Sequence, residues 1–375
     1  MSSQILSAAE IWRQAQHFAD WRDRQMCAEL IKQGSKSFYT ASWLLPNRVR
    51  QPAYALYGFC RLADDAVDEL DDSHSAAASD ARLAAVAHLL DRLDKAYRGM
   101  PEPHPVDRAF ADVIQDFAIP RTIPEALIEG LLWDAEGRDY QNLPALLDYA
   151  ARVASTVGVM MTLLMQRRDP ETLARACDLG IAMQLTNIAR DVGEDARAGR
   201  LYLPQDWLIE VGIDPDKWLA APELTPEIKS VVGRLLQVAD EYYDRAQSGI
   251  AALPLDCRPA IAAAGMIYAE IGRTLEGLGL DSLRHRAVVS KHRKLRLLAP
   301  ACWRGLRVQA EPKRPPVAAA AFLVQAVEQT PDVPQNAAKK SPAVERTDWL
   351  IDFFARLKAR EMGMGLASNW PGPQR

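Results

Sequence analysis

Residues 184–204 read QLTNIARDVGEDARAGRLYLP, and the spacing of the polar side chains in this stretch governs the reading of the whole chain. Gln184, Asn187, Asp191 and Asp195 follow one another at steps of three, four and four. At about 100° per residue on an α-helix, the four fall within an arc of roughly 80°. Ile188 and Val192 lie outside that arc, so the helix can bury apolar neighbours while one polar stripe stays wet. Two carboxylates one turn apart, with two amides upstream, form an oxygen-rich row. Such a row suits a hard cation such as Mg²⁺, which takes one or two carboxylates together with waters and substrate phosphates. Alone, the Asp-x-x-x-Asp spacing equally describes a solvated acidic helix face.

A second copy lies upstream. Residues 57–68 read YGFCRLADDAVD, in which Tyr57, Arg61, Asp64 and Asp68 are spaced four, three and four. These occupy an arc of about 60° on one helix face. Two such helices face to face would enclose four carboxylates. Burying like charges is expensive unless something neutralises them. Divalent cations bridging to a phosphorylated ligand would do so, and Arg61 and Arg190 could hold phosphate oxygens directly. The pair of motifs together favours a site over two independent solvated faces.

FCRLADDAVD followed by QLTNIARDVGEDARAGRLYLP resembles the squalene/phytoene synthase family, and the DVGEDARAGRLYLP form is most similar to its bacterial phytoene-forming members. The resemblance spans roughly residues 30–300, with the motifs in the family's order. It implies an all-α fold, a single large helical bundle of the isoprenoid synthase type with a central substrate cavity. It also implies a prenyltransferase that joins two geranylgeranyl diphosphates head to head. The route passes through a cyclopropyl diphosphate to phytoene, at the entry to carotenoid biosynthesis. Mg²⁺, with Mn²⁺ as a substitute, would be held by Asp64, Asp68, Asp191 and Asp195. Those residues, Tyr57 and Tyr149 are the implied catalytic groups. Ser35, Ser37, Arg61, Gln184, Asn187, Arg190, Tyr268 and Arg286 match substrate-binding positions, with Lys291 and Lys294 as further candidates. Ser35 or Ser37 equally suits a helix cap.

Two other readings stay open. One is condensation of C15 farnesyl diphosphate to presqualene diphosphate, dehydrosqualene or squalene. The other is a non-catalytic helical assembly protein of the same fold, which would tolerate loss of one aspartate pair. Both pairs are intact here. A chain-elongating or cyclising terpene synthase fits the QLxNIxRDVGED pattern less well.

The rest of the composition excludes other classes. The 375 residues are 49% hydrophobic and 25% charged, with a net charge of −4, which gives no sign of a nucleic-acid binder. Five scattered cysteines without a CxxC pair argue for a reducing compartment and against a zinc or disulfide framework. Glu10 and Arg13 interrupt the apolar residues of the first twenty, so no signal-peptide core is expected. The longest apolar run, residues 157–165, is too short to span a bilayer. The expectation is a cytoplasmic protein that touches membrane at most from its surface, with prenyl diphosphates as its partners. No oligomeric state is fixed and a monomer is allowed. There is no GxGxxG after a strand, P-loop, HExxH or nucleophile elbow.

Along the chain nearly every segment reads as helix, beginning with residues 8–32, then a short helix ending before Pro46. Residues 73–80 read as a loop and 81–97 as an amphipathic helix. Asp134 reads as a surface acid. In YAARVASTVGVMM the family's tyrosine, valine and glycine fall on Tyr149, Val153 and Gly158. Ala150 and Ser155 depart from the usual cysteine and glycine, which bears on helix packing there. Gly158 costs about 1 kcal/mol relative to alanine inside a helix, so a kink or a close approach is expected. The GRLYLP turn reads as a loop that could cover the metal site. Small residues Ala41 and Ser42, with Tyr54 as a candidate neighbour, would leave room for a C20 tail. The stretch 290–314 is basic and carries Trp303, Leu297 and Leu298 as apolar anchors for an anionic membrane surface. The catalytic domain is placed at 1–308. Residues 309–375 form a Pro/Ala-rich tail with one short helix at 317–328 and an amphipathic helix at 346–360.

Overall fold

Short capping patterns set the helix starts. Asp20 accepts hydrogen bonds from the backbone of Arg22 and Asp23, while Asp23 accepts one from the Asp20 backbone, a reciprocal capping box. The first described helix therefore starts at Trp21, although the apolar spacing suggested helix from residue 8; residues 8–16 lie outside the described part. Asp169, Asp214 and Thr225 each cap a helix whose first residue is proline. Proline has no N–H to lose at that position.

The computed structural model describes residues 17–68, 76–307 and 314–330; the side chains of Ser37, Val67, Asp68 and residues 76–80 are not described. Its helices are α1 (Trp21–Gly34), α2 (Lys36–Ser42), α3 (Asn47–Asp68), α4 (Ala76–Tyr97), α5 (Pro105–Phe117), α6 (Thr122–Ala135), α7 (Leu143–Ala150) and α8 (Thr156–Leu164). They continue with α9 (Pro170–Arg197), α10 (Gln205–Glu210), α11 (Pro215–Ala220), α12 (Pro226–Ala252), α13 (Arg258–Gly277), α14 (Lys291–Arg307) and α15 (Ala321–Glu328). No strand occurs among the described residues, and none of their helices is long and apolar enough to cross a membrane. Helix α4 starts at Ala76, inside the expected 73–80 loop, because its three leading alanines are strong helix formers.

Helix α9 is the axis of the bundle. It packs most extensively against α12 and also lies against α8 and α13. Sixteen of its residues are buried, among them Leu173, Cys177, Ile181, Leu185 and Ile188. Between α7 and α8 the chain takes a π-helical turn over Ala151–Ser155. This widened turn meets α9 at backbone distance. A Cβ on Gly158 would come within 2.6 Å of the Ala176 carbonyl oxygen, and one on Gly180 within 2.8 Å of the Ala154 backbone. The close approach that Gly158 implied is thus between two helices. Ser155, where glycine is usual, is accommodated by donating its hydroxyl to the Cys177 carbonyl at 2.8 Å.

Residues 314–330 lie on this bundle. A 3₁₀ turn (Ala318–Ala320) leads into α15, which buries Leu323, Val324 and Val327. Arg168 donates to the Thr330 carbonyl, and Arg175 to the carbonyls of Arg314 and Pro315. The amphipathic stretch expected at 346–360 lies outside the described residues.

The contact at Gly158 gives a stability test. Gly158→Ala should push α8 from α9 and lower the unfolding free energy by about 1–3 kcal/mol, as overpacking does. Denaturant unfolding checks this, and wild-type stability would mean the two helices separate without cost.

Candidate active site

A cavity of about 330 Å³ runs along α9 between α3, α8, α12 and α13. Its walls are apolar: Leu56, Val157, Met161, Leu179, Met183 and Ile261 are among them. Polar side chains gather at one end, where Tyr57, Gln184, Asn187 and Tyr268 line it. The helical spacing of Gln184 and Asn187 puts both on the lining face of α9. The Asn187 side-chain amide oxygen is buried and accepts no hydrogen bond from a described residue. A buried unsatisfied acceptor calls for a partner, and a bound ligand or its waters would supply one. The Tyr57 hydroxyl stands where a Cβ on Gly34 would be, so only glycine fits there. Tyr268 stacks on Phe38 with centroids 5.2 Å apart, and burial pushes its hydroxyl up to about 12. Ser35 caps α2 through the Phe38 backbone N–H at 3.3 Å. Ser37 belongs to the same helix, its side chain undescribed.

The acidic stripe of α9 continues past Asn187. Asp191 is gripped by two arginines. Arg190 binds it through Nε at 2.7 Å and through a second, shorter bond, while Arg286 Nε lies 3.0 Å away. Arg286 also reaches Glu194 at 3.2 Å. The loop that carries Arg286 comes this close because Gly193 has no side chain. Its N–H donates to the Ser282 carbonyl at 3.1 Å, and a Cβ would land on Leu283. One turn on, the Asp195 carboxylate accepts no hydrogen bond from a described residue. Burial, with the charge of Asp191 next, pushes its carboxyl up to about 7.

On α3, Arg61 closes its fork on Asp65, with Nε–Oδ2 at 3.0 Å, and touches Asp64 at 3.5 Å. Asp68 is the last residue of α3, its side chain undescribed. All three arginines expected at the substrate are therefore engaged with carboxylates. Among the described residues no three His, Cys, Asp or Glu side chains are drawn together closely enough to hold one ion. Asp191 faces the guanidinium groups of Arg190 and Arg286. Burial and the charges of Lys36 and Arg190 lower the Lys294 ammonium, whereas Lys291 is exposed.

Asp134 is the acid that the sequence reading misplaced. It accepts hydrogen bonds from Tyr149 at 2.8 Å and Tyr202 at 2.7 Å, rather than lying free on the surface. Burial pushes its carboxyl up to about 7, against the pull of the two hydroxyls and Arg200; the charge of Asp64 pushes it further. A carboxyl in that range can hold or release a proton near neutral pH. Tyr140, Tyr149 and Tyr202 pack ring to ring around it, with centroids 5.1–5.8 Å apart. The GRLYLP turn brings Tyr202 to this carboxyl. Tyr202 stands in the string that opened the sequence reading, but neighbouring leucines and a turn give no sign of a distant acid. Asp64, Asp134, Asp191 and Asp195 thus raise or feel one another's protonation from three helices, a chemistry suited to hard cations.

Comparisons with known proteins bear on the family and the fold. The squalene/phytoene synthase family profile matches residues 31–293. A phytoene synthase of Rhodobacter capsulatus is 49% identical over 349 residues, covering 92% of this chain and 98% of that protein. A phytoene synthase of Cereibacter sphaeroides is 48% identical over 351 residues, covering 90% and 94%. Among solved structures, a dehydrosqualene synthase crystallised with a ligand superposes with a TM-score of 0.67 at 31% identity, covering 75% of this chain and 95% of that one. With its all-helical bundle, its apolar cavity and its two aspartate motifs in order, the chain belongs to the squalene/phytoene synthase family.

Proposed function

We infer that the protein is a prenyltransferase that condenses two geranylgeranyl diphosphates head to head, through a cyclopropyl diphosphate, to phytoene, releasing both diphosphates. The observation that carries this is the cavity itself: an apolar tunnel along α9 whose polar end adjoins carboxylates from three helices. A C20 tail gains at most about 15 kcal/mol of apolar transfer energy, at ~0.8 per carbon. That gain requires enclosure between helices, and enclosure also keeps water from quenching an allylic cation. The relatives named phytoene synthase, at 48–49% identity, favour C20 over C15 substrates.

Enzymes of this family that process prenyl diphosphates generally use a divalent metal. The donor set here fits one in kind: no described residue donates a hydrogen bond to the Asp195 carboxylate, and burial and neighbouring acids disfavour its charge. Asp64, Asp68, Asp191 and Asp195 would hold Mg²⁺, with Mn²⁺ as a substitute. When bound, the ion supplies charge stabilisation for the departing diphosphate. The chain's own groups do the rest. Arg190 and Arg286 hold Asp191 before substrate arrives and are placed to take diphosphate oxygens in its stead. Gln184 and Asn187 offer amide groups at the cavity's polar end, and Tyr57 and Tyr268 close it against water. Tyr149 and Tyr202 hold Asp134 in position.

Helix α14 is the surface best suited to a membrane. Leu297, Ala301 and Gly305 face inward, so Leu297 is not the surface anchor that the sequence suggested. Leu295, Trp303 and Leu306 are exposed instead, beside Lys291, Arg296, Arg304 and Arg307. Arg307 lies over the Trp303 ring at 3.7 Å. Lys313 lies outside the described residues. A basic helix with an exposed tryptophan is suited to an anionic lipid surface, into which a C40 hydrocarbon could leave.

Incubation with C20 or C15 diphosphate and Mg²⁺, with and without NADPH, should give the mass of phytoene from C20 without reductant. A C30 product alone would transfer the assignment to the C15 reading. Asp64→Asn and Asp191→Asn should each lose at least about 100-fold in turnover, the upper end of what a metal's outer-shell partners cost. Helix content should stay unchanged by circular dichroism, and turnover near wild type at saturating Mg²⁺ would remove the metal assignment. Ser42 is buried on the cavity wall with its hydroxyl 3.1 Å from that of Tyr54. Ser42→Phe should therefore lower kcat/KM for C20 more than for C15 diphosphate, and an unchanged ratio would free Ser42 of that role. In flotation, the protein should rise with anionic vesicles at low salt and stay behind at high salt. Binding that ignores lipid charge would rule out α14 as an electrostatic contact.

A further inference from the structure

The π-helical turn Ala151–Ser155 contributes Val153 and Ala154 to the cavity wall. The residue just before them, Arg152, lies against α6 instead. Its guanidinium covers the Trp133 ring, 4.2 Å from the centroid. The backbones come close here because Gly130 has no side chain: a Cβ there would stand 2.9 Å from Arg152 Cβ and 2.7 Å from Val153 Cγ1. Arg152 Nε is 2.9 Å from the Glu129 carboxylate, yet this buried N–H is aimed at no acceptor among the described residues. The Glu129 side chain is 45% exposed, and an ion pair of that kind does little to fix a geometry. The ring face is therefore the contact that orients the guanidinium.

Trp133 is the chain neighbour of Asp134, and Arg152 follows Tyr149 by three residues. The Tyr149 hydroxyl donates to Asp134 at 2.8 Å. Two adjacent rungs thus join α6 to the end of α7 and the π turn, one a hydrogen bond and the other a stack. The π turn interrupts the α-helical ladder right after α7, so α8 does not by itself fix where Tyr149 stands. The stacked rung does. A second ring also meets Arg152: Phe322 of α15, 5.4 Å from the guanidinium. Helix α15 belongs to residues 314–330, which lie beyond the family match. That segment is anchored at both ends. Arg175 and Arg245 donate to the Pro315 carbonyl at 3.2 and 3.3 Å, and Arg168 donates to the Thr330 carbonyl at 3.3 Å. Its 3₁₀ turn packs on α7 and on the π turn.

We propose that Arg152, stacked on Trp133 and Phe322, is a positioning residue that sets Tyr149 against Asp134, and that segment 314–330 completes this end of the site from behind. This rests on the reading that Tyr149 and Asp134 serve the condensation. Arg152 lies in neither aspartate motif.

The test uses the full chain with fluorotyrosine placed at position 149 alone, and two variants that keep an apolar side chain in place. Arg152→Met removes the guanidinium but keeps a stem; Phe322→Leu removes the ring of α15. The fluorine resonance reads the surroundings of Tyr149 with no substrate present, and it should shift or broaden in both variants. With unlabelled Arg152→Met protein and C20 diphosphate, kcat should fall by up to about 100-fold, as a displacement of about 1 Å can cost. Affinity for the unreactive C20 thiolodiphosphate, measured by calorimetry, should stay at the wild-type value. An unmoved resonance in Arg152→Met overturns the positioning role, and an unmoved one in Phe322→Leu removes segment 314–330 from it. Thiolodiphosphate binding that weakens in step with turnover would mean a general loosening of the bundle and also overturns it. If Arg152→Met does not fold, Arg152→Lys is read in its place. Lysine keeps the charge toward Glu129 but offers Trp133 no planar face, so the resonance should move likewise, and an unmoved one overturns the proposal. Wild-type protein that converts no prenyl diphosphate would remove the condensing function, whereas the fluorine readout would still support or refute the placing of Tyr149.

Discussion

Carboxylates brought close together out of bulk water must be compensated, and the site depends on how this chain meets that demand. Asp191 is held by Arg190 from its own helix and by Arg286 from the loop before α14. Arg61 does the same for Asp65 and Asp64 on α3. Asp195 and Asp134 form no ion pair with a described arginine, and burial pushes their carboxyls toward neutrality against the opposing charge of Arg200. The acids are thereby kept in two conditions, some clasped by arginines, others pushed by burial toward protonation. On the proposed reading, a diphosphate with divalent cations would replace both devices, offering the arginines phosphate oxygens and the acids a counter-charge.

Helix α9 connects the chemistry to the fold. Its C-terminal half carries the polar stripe, its middle forms cavity wall, and its second turn carries the buried Arg175–Asp178 pair. Small residues let its neighbours approach: Gly158 and Gly180 admit α8 and the π turn, Gly193 admits the Arg286 loop, and Gly249 admits Arg175. These contacts hold polar end and apolar end at a fixed separation along one rigid rod.

The acidic stripes were legible because a helix converts sequence spacing directly into a shared face. Tyr57, Gln184 and Asn187 line the cavity by the same rule, and Ala41 and Ser42 proved to be wall residues. Asp134 was read as a surface acid because its partners, Tyr149 and Tyr202, lie on other segments at separations that no periodicity encodes. The engagement of Arg61 with Asp65 was equally hidden. The stripe rule places Asp64 and Asp68 on the polar face, yet the guanidinium fork reaches the residue four positions on. Leu297 was taken for a surface anchor because a basic run hides which of its leucines turns inward.

By itself the sequence determined the all-helical character, the two aspartate stripes and the family, since each rests on local spacing or on strings of adjacent residues. Tertiary structure alone decided which acids are clasped, which tyrosines bracket Asp134, and which segments line the cavity. Those outcomes depend on side chains that meet from distant segments, such as Arg286 with Asp191 and Arg175 with the carbonyls of residues 314 and 315. Gly193 lets the first of these pairs form by admitting the Arg286 loop to α9. A one-dimensional pattern records that a glycine is present but not which distant segment it admits.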